Sequence, residues 1–155
     1  MLSIAHAATG AFIAVKISNP LLAIPLILLS HYLEDAIAHW DAGTGLGKGD
    51  KSRAAAFWHE VIDLGLAALT VLFLFPLHTY NPFASPSILI TPQVWGAFVA
   101  LIPDFLEAPR NFLKLEPWWL KHINKFHGLF HHSIPRVLDG LSPQILLLVI
   151  LYLTR

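Results

Sequence analysis

The chain has 155 residues, of which 55% are hydrophobic and only 13% charged, whereas an average soluble domain carries roughly 25% charged residues. Ten Lys and Arg balance ten Asp and Glu, so no global cationic field exists to hold a nucleic acid, and no nucleic-acid partner is expected. The absence of cysteine excludes disulfides, thiolate metal cages and cysteine nucleophiles, while nine histidines stand out in a chain otherwise poor in polar groups.

Apolar stretches run from Ile4 to Ile17, Leu21 to Trp40, Ala54 to Phe75, Ile88 to Ala108 and Leu141 to Leu153. A helix rises about 1.5 Å per residue and a bilayer core is about 30 Å thick, so the three middle stretches are long enough to span and the first and last are short. Asn19-Pro20, the glycine-rich segment from Gly43 to Gly49 and the proline-rich run from Pro76 to Pro86 break the helices, because glycine and proline disfavour helix interiors. The expectation is an all-α fold: one membrane-embedded domain over residues 1–155, a polytopic transmembrane bundle of four to five helices. No Lys or Arg precedes Lys16, so the N-terminus lacks the positive region of a signal peptide and is expected to be retained.

Five crossings would put Lys48, Lys51, Arg53, Arg110, Lys114, Lys121, Lys125 and Arg136 on one face and only Lys16 and Arg155 on the other. The positive-inside rule makes the first face cytoplasmic in a bacterial or archaeal cytoplasmic membrane. Trp118 and Trp119 beside Lys121 and Lys125 suit an interfacial helix on anionic headgroups, and a topology signal with aromatic anchoring explains them equally well. Membrane lipid is thus the expected environment.

The second stretch ends in His31-Tyr32-Leu33-Glu34-Asp35-Ala36-Ile37-Ala38-His39. Helical spacing places His31, Asp35 and His39 one turn apart on one face. His59 and Asp63 repeat the i, i+4 device in the third stretch, with Asp63 roughly 14 Å along that helix. A carboxylate at the centre of a membrane helix costs about 2.5–3.5 kcal/mol on insertion scales, so Asp35 and Asp63 need partners, and a divalent metal ion serves both. His6, Asp104 with Glu107, and His127, His131 and His132 fall toward the same cytoplasmic side, a side assigned without using any histidine. His78 and His122 read as ordinary exposed or interfacial residues.

Several of these elements resemble known families. His31-Tyr32 through Asp35 is similar to the HYxxD element of zinc-dependent phospholipase C and the related single-strand-specific zinc nucleases. His6, Ile102-Pro103-Asp104 and the histidines before Ser133 resemble the GH, LPD and HRGxTHS elements of bacterial membrane-bound metal-dependent hydrolases. Leu106 stands where that family has a second aspartate, and Gly128-Leu129 replaces its arginine-glycine. The resemblance implies an all-helical membrane hydrolase with a di- or trinuclear site, acting on phosphoester bonds.

The leading expectation is accordingly a phospholipase-like phosphoesterase acting on a lipid at the cytoplasmic face. His6, His31, Asp35, His39, His59, Asp63, Asp104, His127 and His131 would hold two or three divalent ions, zinc foremost, with manganese, iron or magnesium compatible with mixed N/O donors. Asp104 and Glu107 are the candidate catalytic carboxylates, Glu107 as general base. Two alternatives use the same residues: a metal or proton transporter with intramembrane His and Asp relays, and a b-type haem protein with axial histidines.

Overall fold

The computed structural model describes residues 1–17, 19–47, 49–77 and 90–155. The proline-rich run from Pro76 to Pro86 falls largely outside them, and His78 and Lys48 do so entirely. The described chain is all-helical: α1 (Ser3–Lys16), α2 (Pro20–Asp35), α3 (Arg53–Leu74), α4 (Pro92–Ala108), α5 (Trp118–His127) and α6 (Val137–Thr154). A short π-helix, Pro109–Leu113, continues α4. The only extended pairing among the described residues is an isolated parallel bridge between His39 and Ser133.

Local chemistry sets the helix starts. Asn19 caps α2 by accepting from Leu21 N at 3.0 Å, with Pro20 in the first turn. Ser52 caps α3 through Ala55 N at 3.1 Å, and Pro92 opens α4. Such side-chain oxygens satisfy amides that have no partner within the helix, and proline loses nothing at that position.

α1 is the central helix, with α2, α3, α4 and α6 packed around it. Its buried face is built of small residues, Ala7, Ala8, Gly10, Ala11 and Ala14. Against α4 the backbones come so close that a Cβ on Gly10 would lie 2.4 Å from the carbonyl oxygen of Gly96, and one on Gly96 would lie 2.4 Å from Ala14 Cβ. Small residues four apart on both helices permit this approach, the packing device of helices in lipid.

Among the described residues, two helices are long and apolar enough to cross a membrane, α3 with 22 residues and α6 with 18. This differs from the sequence reading. α2 and α4 are cut to 16 and 17 residues, about 24–26 Å of helix, whereas α6 gains length by starting at Val137 rather than Leu141. α2 stops at Asp35 because the following backbone finds other partners: Asp35 O accepts from His132 N at 3.0 Å, His39 N donates to His132 O at 3.1 Å, and Ile134 N donates to His39 O at 2.7 Å. α3 and α6 turn large apolar residues outward, with Leu69 65%, Phe73 67% and Leu153 74% exposed.

Gly140, in the first turn of α6, is the second close approach. A Cβ there would lie 2.3 Å from Trp40 N and 2.8 Å from His39 C. Its carbonyl accepts from Trp40 N at 3.2 Å. One turn later the buried Gln144 donates to Trp40 O at 2.7 Å and accepts from Leu2 N at 2.8 Å. α6 thus fixes both the chain after α2, which carries His39, and the chain that leads into α1, which carries His6.

Candidate metal centre

Asp35, the last residue of α2, is fully buried, and four imidazoles converge on its carboxylate. His127 Nε2 lies 2.8 Å from Oδ2 and His31 Nε2 3.4 Å from it; His6 Nε2 lies 3.2 Å and His39 Nε2 3.7 Å from Oδ1. The amino group of Met1 also contacts Oδ1. A buried carboxylate is tolerated only with such compensation.

Two groups of side chains present ligand atoms within 4.8 Å of one another and can hold a metal ion. One is His31, Asp35, Asp104 and His127, the other Asp35, His39 and His131, and Asp35 belongs to both. α2 supplies His31 and Asp35 at i, i+4, α4 supplies Asp104, and α5 supplies His127 from its buried face with Leu120 and Asn124. His39 and His131 come from the two segments joined by the bridge, not from helices. His39 is therefore a member of the cluster, but not by the helical spacing expected of it.

The outer contacts orient the rings. His31 Nδ1 donates to Ala100 O at 2.8 Å and His39 Nδ1 to Ile37 O at 2.8 Å, an assignment of the ring protons that leaves each Nε2 lone pair facing the cluster. His6 Nδ1 lies 2.8 Å from Glu34 Oε2, a carboxylate behind an imidazole, the arrangement that commonly supports metal-binding histidines. His6 and His31 stack with centroids 4.0 Å apart. His31 Nε2 is buried with no hydrogen-bond partner among the described residues. Buried polar atoms are seldom left so, and an imidazole lone pair aimed at two carboxylates is the donor chemistry a divalent ion takes.

Asp41 adds a carboxylate that the sequence reading missed. Its Oδ2 lies 3.2 Å from His39 Nε2 and 3.2 Å from His131 Nε2. Burial acts to raise the Asp41 carboxyl, but the adjacent imidazoles of His131 and His39 outweigh it and hold the group far below the usual carboxylate range. Burial likewise acts to lower His131, and the hydrogen bond and charge of Asp41 overcome it and raise the imidazole above its ordinary value. The available signal was a carboxylate two residues beyond His39 at the close of an apolar stretch. Glu34 stands three residues after His31 on α2, a spacing that also shares a helix face, but the sequence reading weighed only the i, i+4 members.

Other expected residues lie elsewhere. Asp63 accepts from Ser3 N at 2.6 Å and Ile4 N at 3.4 Å, so it caps the start of α1 across the interface; both its oxygens are engaged there and it belongs to neither ligand group. His59 is exposed and lines a separate apolar cavity with Trp40, Ile62 and Leu66. The i, i+4 pair on α3 therefore does not face the cluster, because that face of α3 turns toward Leu2 and Ile4. Glu107 is paired with Arg110 and accepts from Asn111 Nδ2 at 2.9 Å; it stands 4.0 Å from His127 Nδ1. Of the two adjacent histidines, His131 enters the cluster, whereas His132 is exposed and bonds Phe130 O at 2.7 Å. His122 is exposed on α5.

A cavity of about 220 Å³ borders the cluster. Asp41, Asp104 and His131 of the cluster line it together with Phe57, Glu60 and Val61 of α3. Comparisons with protein families, with curated proteins and with solved structures return no match for this chain.

Proposed function

We propose that the chain is a divalent-metal-dependent hydrolase that cleaves a phosphoester bond in a lipid or lipid-like substrate. The observation that carries this reading is Asp35, one buried carboxylate shared by two ligand groups beside a cavity. His31, Asp35, Asp104 and His127 would hold one ion, and Asp35, His39, Asp41 and His131 a second, with His6 beside the shared carboxylate. Imidazole and carboxylate donors suit zinc, and also manganese or iron.

Two such ions would supply an acidified water and charge neutralisation for a phosphoryl displacement. The protein's own contribution is to fix the donor atoms: Ala100 O and Ile37 O orient two of the rings, and the bridge between His39 and Ser133 joins the two loop segments. The apolar α3 wall of the cavity would accommodate the hydrocarbon part of a substrate, and the outward-facing apolar residues of α3 and α6 would lie against lipid. The shorter helices α1, α2 and α4 would complete a multi-pass bundle, with the centre at the cytoplasmic face on the Lys and Arg asymmetry.

The test is release of lipid phosphate by detergent-purified protein, before and after chelation and on return of zinc or manganese. Activity lost on chelation and restored by metal is expected. Purified protein that neither binds divalent metal nor hydrolyses phospholipid would overturn the proposal.

A further inference from the structure

We infer that Glu60 is the residue that carries the proton in the hydrolysis, taking it from the attacking water and giving it to the leaving oxygen; this rests on the hydrolase reading above. Phe57, Glu60, Val61 and Leu64 line the cavity at positions i, i+3, i+4 and i+7 of α3, which form one face of a helix. Glu60 is the sole polar member of that face and lines the same cavity as Asp41, Asp104 and His131. A carboxylate on an otherwise apolar helix face is costly, and this one belongs to neither ligand group.

Its surroundings suit proton transfer better than those of the other carboxylates at the cavity. Asp104 belongs to a ligand group. Glu107 is engaged by Arg110 and Asn111. Glu60 has no ion pair with a Lys, Arg or His among the described residues. The hydroxyl of Ser3 donates to Oε1 at 2.8 Å, and Ser3 is itself anchored by its amide to Asp63. The first turn of α1 therefore orients Glu60, while Asp63 holds that turn in place. A proton carrier must be positioned yet free to change charge, and a neutral hydroxyl partner allows both states.

The step balances without any further reactant. The water oxygen forms a bond to phosphorus as the bond from phosphorus to the ester oxygen breaks. One water proton passes to the Glu60 carboxylate and from there to the departing alkoxide, leaving an alcohol and a phosphate monoester. A metal ion held by the cluster would acidify the water, so the demand on Glu60 is greatest for an alkoxide leaving group, which cannot depart without a proton.

The experiment compares the full chain with Glu60→Gln and Glu60→Asp on two substrates, phosphatidylglycerol in detergent micelles and bis(4-nitrophenyl) phosphate, with metal content measured on each preparation. Gln keeps the acceptor for Ser3, so metal content is expected to stay at the wild-type level. For Glu60→Gln, kcat on phosphatidylglycerol should fall about 100- to 10,000-fold with KM little changed, and Glu60→Asp should recover part of the loss. The loss on bis(4-nitrophenyl) phosphate should be less than about tenfold, since 4-nitrophenolate departs unprotonated. Unchanged turnover of phosphatidylglycerol in Glu60→Gln, or an equal loss on both substrates, overturns the assignment of Glu60 alone. Wild-type protein inactive on both substrates overturns the hydrolase reading as well.

Discussion

His127 and Asp35 are 92 residues apart in the chain, and their side chains meet at 2.8 Å between Nε2 and Oδ2. The contact joins α5 to the end of α2, two elements that otherwise share mainly aromatic edges around Tyr32. Since Asp35 also belongs to the group containing His39 and His131, one carboxylate ties the helical and the loop-borne halves of the centre together.

Because Asp35 belongs to both ligand groups, two ions held there, as proposed, would be interdependent. Wild-type protein is expected to retain at least two divalent ions per chain after dialysis, measured by elemental mass spectrometry. Asp35→Asn should drop below one, because an amide cannot bridge two cations, whereas Asp41→Asn should retain about one. Two ions retained in Asp35→Asn would remove that residue from the centre.

Asp63→Asn separates capping from ligation. An amide offers a single acceptor where the carboxylate offers two oxygens to Ser3 N and Ile4 N, so a loss of about 1–3 kcal/mol is expected from the unsatisfied amide. Thermal unfolding in detergent should register this loss at unchanged metal stoichiometry. Loss of an ion without loss of stability would return Asp63 to the ligand set.

Gly140→Ala tests how α6 positions His39. The added methyl meets Trp40 N and His39 C, both backbone atoms, so the segment has to move. Retention of the ion at His31, Asp104 and His127 with weakened binding of the second is the expected pattern in a metal titration. Wild-type affinity for both ions would show that α6 does not set the His39 position.

Gly96→Ala places a methyl 2.4 Å from Ala14 Cβ and 2.5 Å from Gly10 O. Overpacking of this kind costs about 1–3 kcal/mol, and since α1 carries His6 the melting temperature should fall together with metal affinity. A variant as stable as wild type would mean that α1 and α4 separate without penalty.

Orientation in the membrane is open to cysteine scanning, as the chain has no cysteine of its own. A cysteine at Ser85, which lies outside the described residues, should react with an impermeant reagent added from outside the cell, and one at Ser52, the cap of α3, should not. The reverse pattern would invert the orientation drawn from the Lys and Arg distribution.

The all-helical character and the approximate course of the helices, though not the end of α2 or the start of α6, were legible in the chain, because apolar runs and Asn-Pro and Gly-rich breaks act locally. So was the pairing of His31 with Asp35, since i, i+4 spacing on a helix brings two side chains to one face whatever surrounds them. Tertiary structure decided the rest. His59 and Asp63 have the same spacing as His31 and Asp35, yet the packing of α3 on α1 spends Asp63 on the amides of Ser3 and Ile4 and turns His59 away. His39 continues a helical pattern in sequence, yet its backbone pairs with His132 and Ile134 instead, and the histidine reaches the cluster from an extended segment. Asp41 and Glu60 carried no periodic signal, because their surroundings are built by residues distant in the chain. Periodicity reports which side chains share one helix face; which faces then meet depends on where backbones can approach, here at Gly10 with Gly96 and at Gly140 with Trp40, and on which backbone groups remain unpaired once a helix ends.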